Sequence, residues 1–287
     1  MIYDRKTNSY GEDRPFGGSL LRLLYQNWAR PIRSIFLGTN FSDQGAWVLE
    51  KLYRRRRIDA LMAAHGIDPE LFEGYPYDHF RDFFLRAYKK DALPAAEPDE
   101  IISPSDGKVM VHRIGEDLKV RVKGRLYTLR ELMGGHEAAE LFRGGHLFLI
   151  RLSLDDCHRF LYTENGAFSG RPIRKIPGRL HTVSALSDGE PVLKENERRY
   201  SILETRRGLV GVMEVGALLV GRIRYHAAQR PVKYQERGWF EPGGSTIILL
   251  YQKGMVQPDL DLIRETAAGH EVRVRQGERI GTYVGAT

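Results

Sequence analysis

The spacing of hydrophobic positions changes once along the chain, near Pro94. Before it, apolar residues recur at intervals of three and four, the period of a helix with one buried face. The stretch Ser19 to Ala29 carries Leu20, Leu21, Leu23, Leu24 and Trp28, with Ser19 as a cap and Pro31 as a stop. Residues 44–64 read as a second helix. Residues 77–90 read as a third, with Phe80, Phe83, Phe84 and Tyr88 on one stripe that is best explained as core. The first sixteen residues are polar, hold Gly11 and Pro15, and read as an extended or loosely ordered lead.

After Pro94 the apolar runs shorten to strand length and Gly and Pro separate them. The predicted strands are Lys108–His112, Leu118–Lys123, Leu147–Leu152, Leu209–Val215, Leu218–Arg224, Thr246–Tyr251 and Val272–Val274. Helical inserts are expected at about Thr128–Leu141 and over 260–268. No internal repeat is visible. The pattern predicts an α+β fold: a helical, basic N-terminal part over residues 1–95, and a β-rich sandwich or barrel-like core over residues 96–287.

Composition narrows the function classes. At 287 residues, with 42% hydrophobic and 28% charged, the chain is long enough to bury a core without disulfide or metal staples. The balance of 44 Lys+Arg against 37 Asp+Glu gives a net charge of +7 and points to an anionic partner. The run Arg54–Arg57 is either a solvated helix face or a grip for anionic headgroups; no interleaved aromatics or nucleic-acid module accompany it, so nucleic acid is set aside as a partner. The first helix, with its flanking arginines and Trp28, suits a membrane interface as well as it suits packing on its own core. No apolar run approaches the ~18 residues of a membrane span, and the start lacks the apolar stretch of a signal peptide. The single cysteine, Cys157, excludes an internal disulfide and fits a reducing compartment.

Three segments could carry chemistry. In Gly238-Trp239-Phe240-Glu241-Pro242-Gly243-Gly244-Ser245-Thr246, a Gly-Gly pair permits backbone conformations closed to other residues. It also leaves the Gly244 carbonyl open to the Ser245 hydroxyl, which could move the acyl group from nitrogen to oxygen. Taken alone, the segment reads as a turn leading into a strand. In Ser103-Pro104-Ser105-Asp106-Gly107-Lys108, a turn precedes a strand, and Asp106 could orient a histidine or assist proton transfer. In Arg151-Leu152-Ser153-Leu154-Asp155-Asp156-Cys157-His158-Arg159, His158 is the best general acid or base of nine histidines, with a structural role as the alternative. Nothing marks a lowered thiol pKa at Cys157, so it reads as a small buried residue. A fourth candidate is Asn196-Glu197-Arg198 followed by Val215–Gly221, the latter a strand pair with close backbone approach at its glycines or simply packing.

In this order and spacing the segments resemble the phosphatidylserine decarboxylase family, and the likeness spans nearly the whole chain. It runs through Phe80…Phe83-Phe84-Leu85-Arg86, Pro104…Asp106-Gly107, Val122-Lys123-Gly124…Tyr127…Leu129, Arg151-Leu152-Ser153…Asp156…His158-Arg159-Phe160, Asn196-Glu197-Arg198, Val215-Gly216-Ala217…Val220-Gly221 and Gly243-Gly244-Ser245-Thr246. The Gly-Gly form and the opening Met1-Ile2-Tyr3 resemble the shorter, clostridial type. The resemblance implies a precursor that cuts itself between Gly244 and Ser245 into a β chain, 1–244, and an α chain, 245–287. Ser245 would become a pyruvoyl group that forms a Schiff base with the substrate amine and takes up electrons as CO₂ leaves, with no metal and no pyridoxal phosphate. The implied site is Ser245, Asp106 and His158, and the implied substrate is phosphatidylserine in an acidic membrane surface, converted to phosphatidylethanolamine. A peripheral place at the cytoplasmic face of the cell membrane follows, and family members often form homodimers.

The chain departs from the family pattern where the histidine segment usually reads Asp-Tyr-His-Arg-aromatic-His. Here Cys157 stands for the tyrosine and Leu161 for the second histidine, the one assigned to the self-cleavage relay with Asp106 and Ser245. Leu154 replaces the usual Pro, and Lys233-Tyr234-Gln235-Glu236 replaces a Lys-Gly before Glu. Leucine accepts no proton. Either His158 serves both steps, or backbone strain at Gly243-Gly244 drives a slow cleavage, or the chain is a non-cleaving homologue that binds acidic lipid surfaces.

Overall fold

The computed structural model describes residues 1–12, 50–153, 155–170, 172–179, 191–217, 223–228, 230–242 and 245–285. The helix expected at Ser19–Ala29, most of the strand expected at Leu218–Arg224, and the Gly243-Gly244 pair lie outside the described residues.

The longest apolar run forms the middle of the molecule. Ser245–Tyr251 is a strand in which all seven residues are buried. It pairs antiparallel with Gly208–Val215 on one side and His146–Leu152 on the other. Its side chains alternate between two cores, as the strand period of two requires. Ile247, Leu249 and Tyr251 enter one, and Ile248 and Leu250 the other. A strand covered on both faces has no need of polar alternation, which is why the run is continuous.

These strands belong to a ten-stranded sheet. Its main path runs Arg174–Ile176, Arg198–Thr205, Gly208–Val215, Ser245–Tyr251, His146–Leu152, Gly107–Arg113, Glu271–Val274, Ile2–Asp4 and Ser9–Gly11, with Ala167–Phe168 paired to Arg198–Thr205. Two three-stranded sheets cover one face. Arg159–Leu161, Glu236–Phe240 and Ile223–Tyr225 contribute Phe160, Phe240 and Ile223; Glu100–Ile102, Val256–Pro258 and Arg279–Tyr283 contribute Ile101, Val256 and Tyr283. The other face is covered by the hairpin Lys119–Val122/Arg125–Thr128 and by short helices. The result is the α+β, β-rich layered body that the pattern predicts.

Several elements differ in extent from expectation. The stretch expected to be helical from Thr128 to Leu141 is a capped turn of helix, Leu129–Leu132, followed by a 3-10 segment, Glu137–Phe142. Gly134 and Gly135 both take positive φ, 67° and 83°, and break it. The expected helix 77–90 is only Phe80–Phe84. Past it, Tyr88 pairs by a bridge with Phe72 and packs on its ring at 4.4 Å between centroids. The described part of the polar lead is extended and paired: Ile2–Asp4 runs parallel to Glu271–Val274. Arg55–Ala64 forms the helix expected around the arginine run, and Leu260–Ala267 the one expected over 260–268. Ile58, Met62, Phe72, Tyr77, Phe80, Phe83 and Phe84 form a third core that includes Cys157.

The Asn196-Glu197-Arg198 motif proves to be a structural clamp. The Arg198 guanidinium is buried and donates to the main-chain carbonyls of Glu131, Leu132, Lys194 and Asn196, joining the ends of two short helices. The Asn196 amide donates to the Gly216 carbonyl at 2.6 Å. Arg198→Met leaves four carbonyls short of a donor and is expected to destabilise the fold by about 3 kcal/mol, read as a lower denaturation midpoint.

Candidate active site

The three segments singled out in the sequence meet at one end of the central strands. Ser245 opens its strand opposite Leu152, and Lys108 lies opposite Arg151, so both flank the strand that runs into the His158 segment. The turn before Lys108 needs its glycine: a Cβ at Gly107 would stand 2.8 Å from the Arg151 carbonyl oxygen. Gly238 is required in the same way, since its Cβ would meet the Arg224 carbonyl oxygen at 2.0 Å.

Ser245 is fully buried, and its Oγ has no hydrogen-bond partner among the described residues. A buried hydroxyl without a partner costs stability, and the Ser105, Thr163, Tyr251 and Tyr283 hydroxyls are in the same state among the described residues. His158 is also fully buried. Its Nδ1 lies 2.9 Å from the Asp156 carbonyl, which can only accept, so Nδ1 carries the proton. Nε2 is left unpartnered among the described residues, with its lone pair available. The ring stacks on Phe84 at 3.8 Å and meets the edge of Phe240 at 6.5 Å. Burial pushes its pKa down to about 3, so the imidazole is neutral at neutral pH.

Asp106 is buried and fully engaged among the described residues. Its carboxylate accepts from the Tyr88 hydroxyl at 2.9 and 3.1 Å, from the Cys157 main-chain N–H at 3.0 Å and from the Gln276 main-chain N–H at 2.9 Å. No histidine is among those partners. Leu161 is buried, and its N–H donates to the Pro104 carbonyl beside the same turn. Asp106 thus ties three distant segments together. Cys157 is buried, donates from Sγ to the Arg86 carbonyl at 3.2 Å, and has its thiol pushed up to about 12 by burial and then by Asp106; it is no nucleophile.

A buried ionic group lies alongside. Lys108 Nζ is 2.7 Å from Asp156 and 3.6 Å from Asp155, which also faces His65 and Arg273. Burial pushes the Asp156 carboxyl up, against the pull of Lys108. Burial also acts on Asp155, but His65, Lys108 and Arg273 outweigh it and hold that carboxyl below its usual range. Lys108, Tyr88, Gln276 and Phe84 were not singled out as site residues in the sequence. Only Lys108 carried a local signal, a cation directly after the Asp-Gly turn and inside an apolar strand.

Comparisons with known proteins identify the family. A family model described as phosphatidylserine decarboxylase matches residues 80–282. A protein named phosphatidylserine decarboxylase proenzyme 2, from Clostridium acetobutylicum, is 34% identical over 98% of this chain and 97% of its own. A phosphatidylserine decarboxylase proenzyme of Clostridium perfringens is 33% identical, with 98% of each chain covered. One from Desulfitobacterium hafniense is 31% identical, with 97% of each covered. The matched region holds every segment that converges on Ser245, and the chain therefore belongs to the phosphatidylserine decarboxylase family.

Proposed function

We propose that this protein is a phosphatidylserine decarboxylase that matures by cutting itself between Gly244 and Ser245, and that Ser245 is the origin of a pyruvoyl group. The observation that carries the reading is the buried, unbonded Ser245 hydroxyl at the head of the central strand, directly after two glycines. The residues present fit such a group, because nothing among the described residues competes for that hydroxyl and the strand that it opens is buried throughout. The pyruvoyl group supplies a ketone that binds an amine and withdraws electrons from the carbon losing CO₂. His158, neutral and with Nε2 free, accepts a proton in the cleavage and holds one near the reacting carbon in turnover. With Leu161 unable to take part and Asp106 engaged elsewhere, one imidazole serves both steps.

The substrate is read as an aminophospholipid presented at an acidic membrane surface. No helix among the described residues is long and apolar enough to cross a membrane. Arg54 to Arg57 stand exposed on and before the helix Arg55–Ala64, and each basic charge near an anionic surface contributes about 1 kcal/mol of attraction. This supports peripheral docking at the cytoplasmic face.

Intact-mass measurement tests the reading. Purified protein is expected as two chains, 1–244 and 245–287, the shorter with no free α-amine. One uncut chain after long incubation with phosphatidylserine vesicles would overturn it. Leu161 favours a second reading, a non-cleaving lipid-binding homologue. That reading holds if the natural chain stays whole while Leu161→His splits.

A further inference from the structure

Several of the groups that hold His158 and Asp106 in place come from one stretch outside the β body. Phe84 lies face to face with the His158 ring, 26° from coplanar. The Leu85 carbonyl accepts from Arg159 Nε at 2.7 Å. Arg86 donates from Nη2 to the Asp155 carbonyl, and its own carbonyl accepts from Cys157 Sγ. Tyr88 donates to both oxygens of Asp106. A five-residue stretch therefore grips Asp155, Cys157, His158 and Arg159 one after another, together with the Asp106 turn.

Arg86 shows that this grip is more than packing. It is 2% exposed and wedged between the rings of Phe72 and Phe83, at 4.8 and 4.6 Å. Its hydrogen bonds go to the carbonyls of Phe83 and Asp155, and its Nε is unpartnered among the described residues. A guanidinium buried against carbonyls and ring faces is costly as a source of stability. An aliphatic side chain would fill the same volume at lower cost but would not fix the main chain of Asp155. That residue adjoins Asp156, whose carbonyl receives the His158 Nδ1 proton.

We propose that Phe84–Tyr88 is the positioning element of the site: Phe84 seats the His158 ring, Arg86 fixes the chain just before it, and Tyr88 anchors the Asp106 carboxylate. The inference rests on the reading of His158 as the proton-handling group, yet its first test needs no turnover. Arg86, Lys108 and Asp155 are the charged groups that act most strongly on the ring. Phe84 variants leave all three in place and isolate the stacking contact.

The experiment uses the full-length chain with Ser245→Ala, ¹⁵N-labelled at histidine, and reads ring nitrogens by long-range NMR correlation across pH. His158 is expected as a single Nδ1-protonated tautomer that does not titrate between pH 5 and 8. In Phe84→Leu and Arg86→Gln it is expected to mix tautomers and titrate at least one pH unit higher. Tyr88→Phe, acting on Asp106, leaves its signals unchanged. Phe84→Tyr, which keeps the ring, restores the wild-type pattern and guards against a Leu variant that fails to fold. On the Ser245 background, Phe84→Leu and Arg86→Gln should lower kcat at least tenfold with KM within about threefold. Folded Phe84→Leu protein with wild-type His158 signals would overturn the proposal. If the natural chain neither cleaves nor releases CO₂, the functional reading fails, while the spectra still decide whether Phe84 and Arg86 position the ring.

Discussion

Ser245→Ala is expected to leave one uncut chain of 287 residues and to release no CO₂ from phosphatidylserine. Both losses have one cause. An acyl shift at the Gly244–Ser245 bond needs a nucleophile on the β-carbon of residue 245, and alanine has none. The fold should not suffer, because the hydroxyl makes no hydrogen bond among the described residues. Its removal from a buried site is expected to change stability by less than about 1 kcal/mol, and in the stabilising direction if at all. The variant thus separates chemistry from folding: unchanged denaturation, no cleavage, no activity. Ser245→Cys retains a nucleophile and should cut. Persistent decarboxylation by the alanine variant would eliminate Ser245 as the source of the reactive carbonyl.

His158→Gln is expected to lower the rate of CO₂ release by about 10²–10⁴-fold, the usual contribution of a positioned acid or base. Self-cleavage happens once per molecule, so the same loss delays it without preventing completion. Mass spectra over hours and turnover over minutes should therefore diverge. Glutamine fills much of the space on Phe84 but cannot exchange a proton. The pH dependence adds an independent check. The folded pKa of about 3 lies below the ordinary value of 6.5, so the unfolded state binds a proton that the folded state refuses. The corresponding stability is fully present above pH 6.5 and is lost as pH falls from 6.5 towards 3. His158→Gln should flatten that part of the stability curve. An unchanged acid slope in the variant would place the effect on other groups, such as His112, which burial holds at about 4.

The body of the fold was legible because its strands are long apolar runs that need no distant information. Ser245–Tyr251 and His146–Leu152 announce themselves this way, within one residue of expectation. Ile2–Asp4 did not, because three residues carry no period and its partner, Glu271–Val274, lies at the other end of the chain. Helices were expected too long where aromatic spacing persisted past a real end: Phe80–Phe84 stops, and Tyr88 falls on the stripe by register alone. In the site, Ser245, Asp106 and His158 carried local signals. What each of them touches was hidden. The Tyr88–Asp106 bond spans eighteen positions and the Gln276–Asp106 bond 170, and no local pattern encodes either. The histidine that Asp106 was expected to orient is not among the carboxylate's partners in the described residues, which are Tyr88, Cys157 and Gln276.

The central position of Ser245–Tyr251 decides what a cut before Ser245 does to the molecule. The fragment that follows supplies an interior strand of the large sheet, another strand near its far edge in Glu271–Val274, and both Val256–Pro258 and Arg279–Tyr283 in a smaller sheet. It is woven through the architecture like a warp thread, so the severed pieces stay interlocked without any covalent link. Folding as one polypeptide makes that weave an intramolecular event; after scission, heat or urea would scatter two strangers that no longer share a tether. Such a protein is built once, and its lifetime is set by how slowly it comes apart.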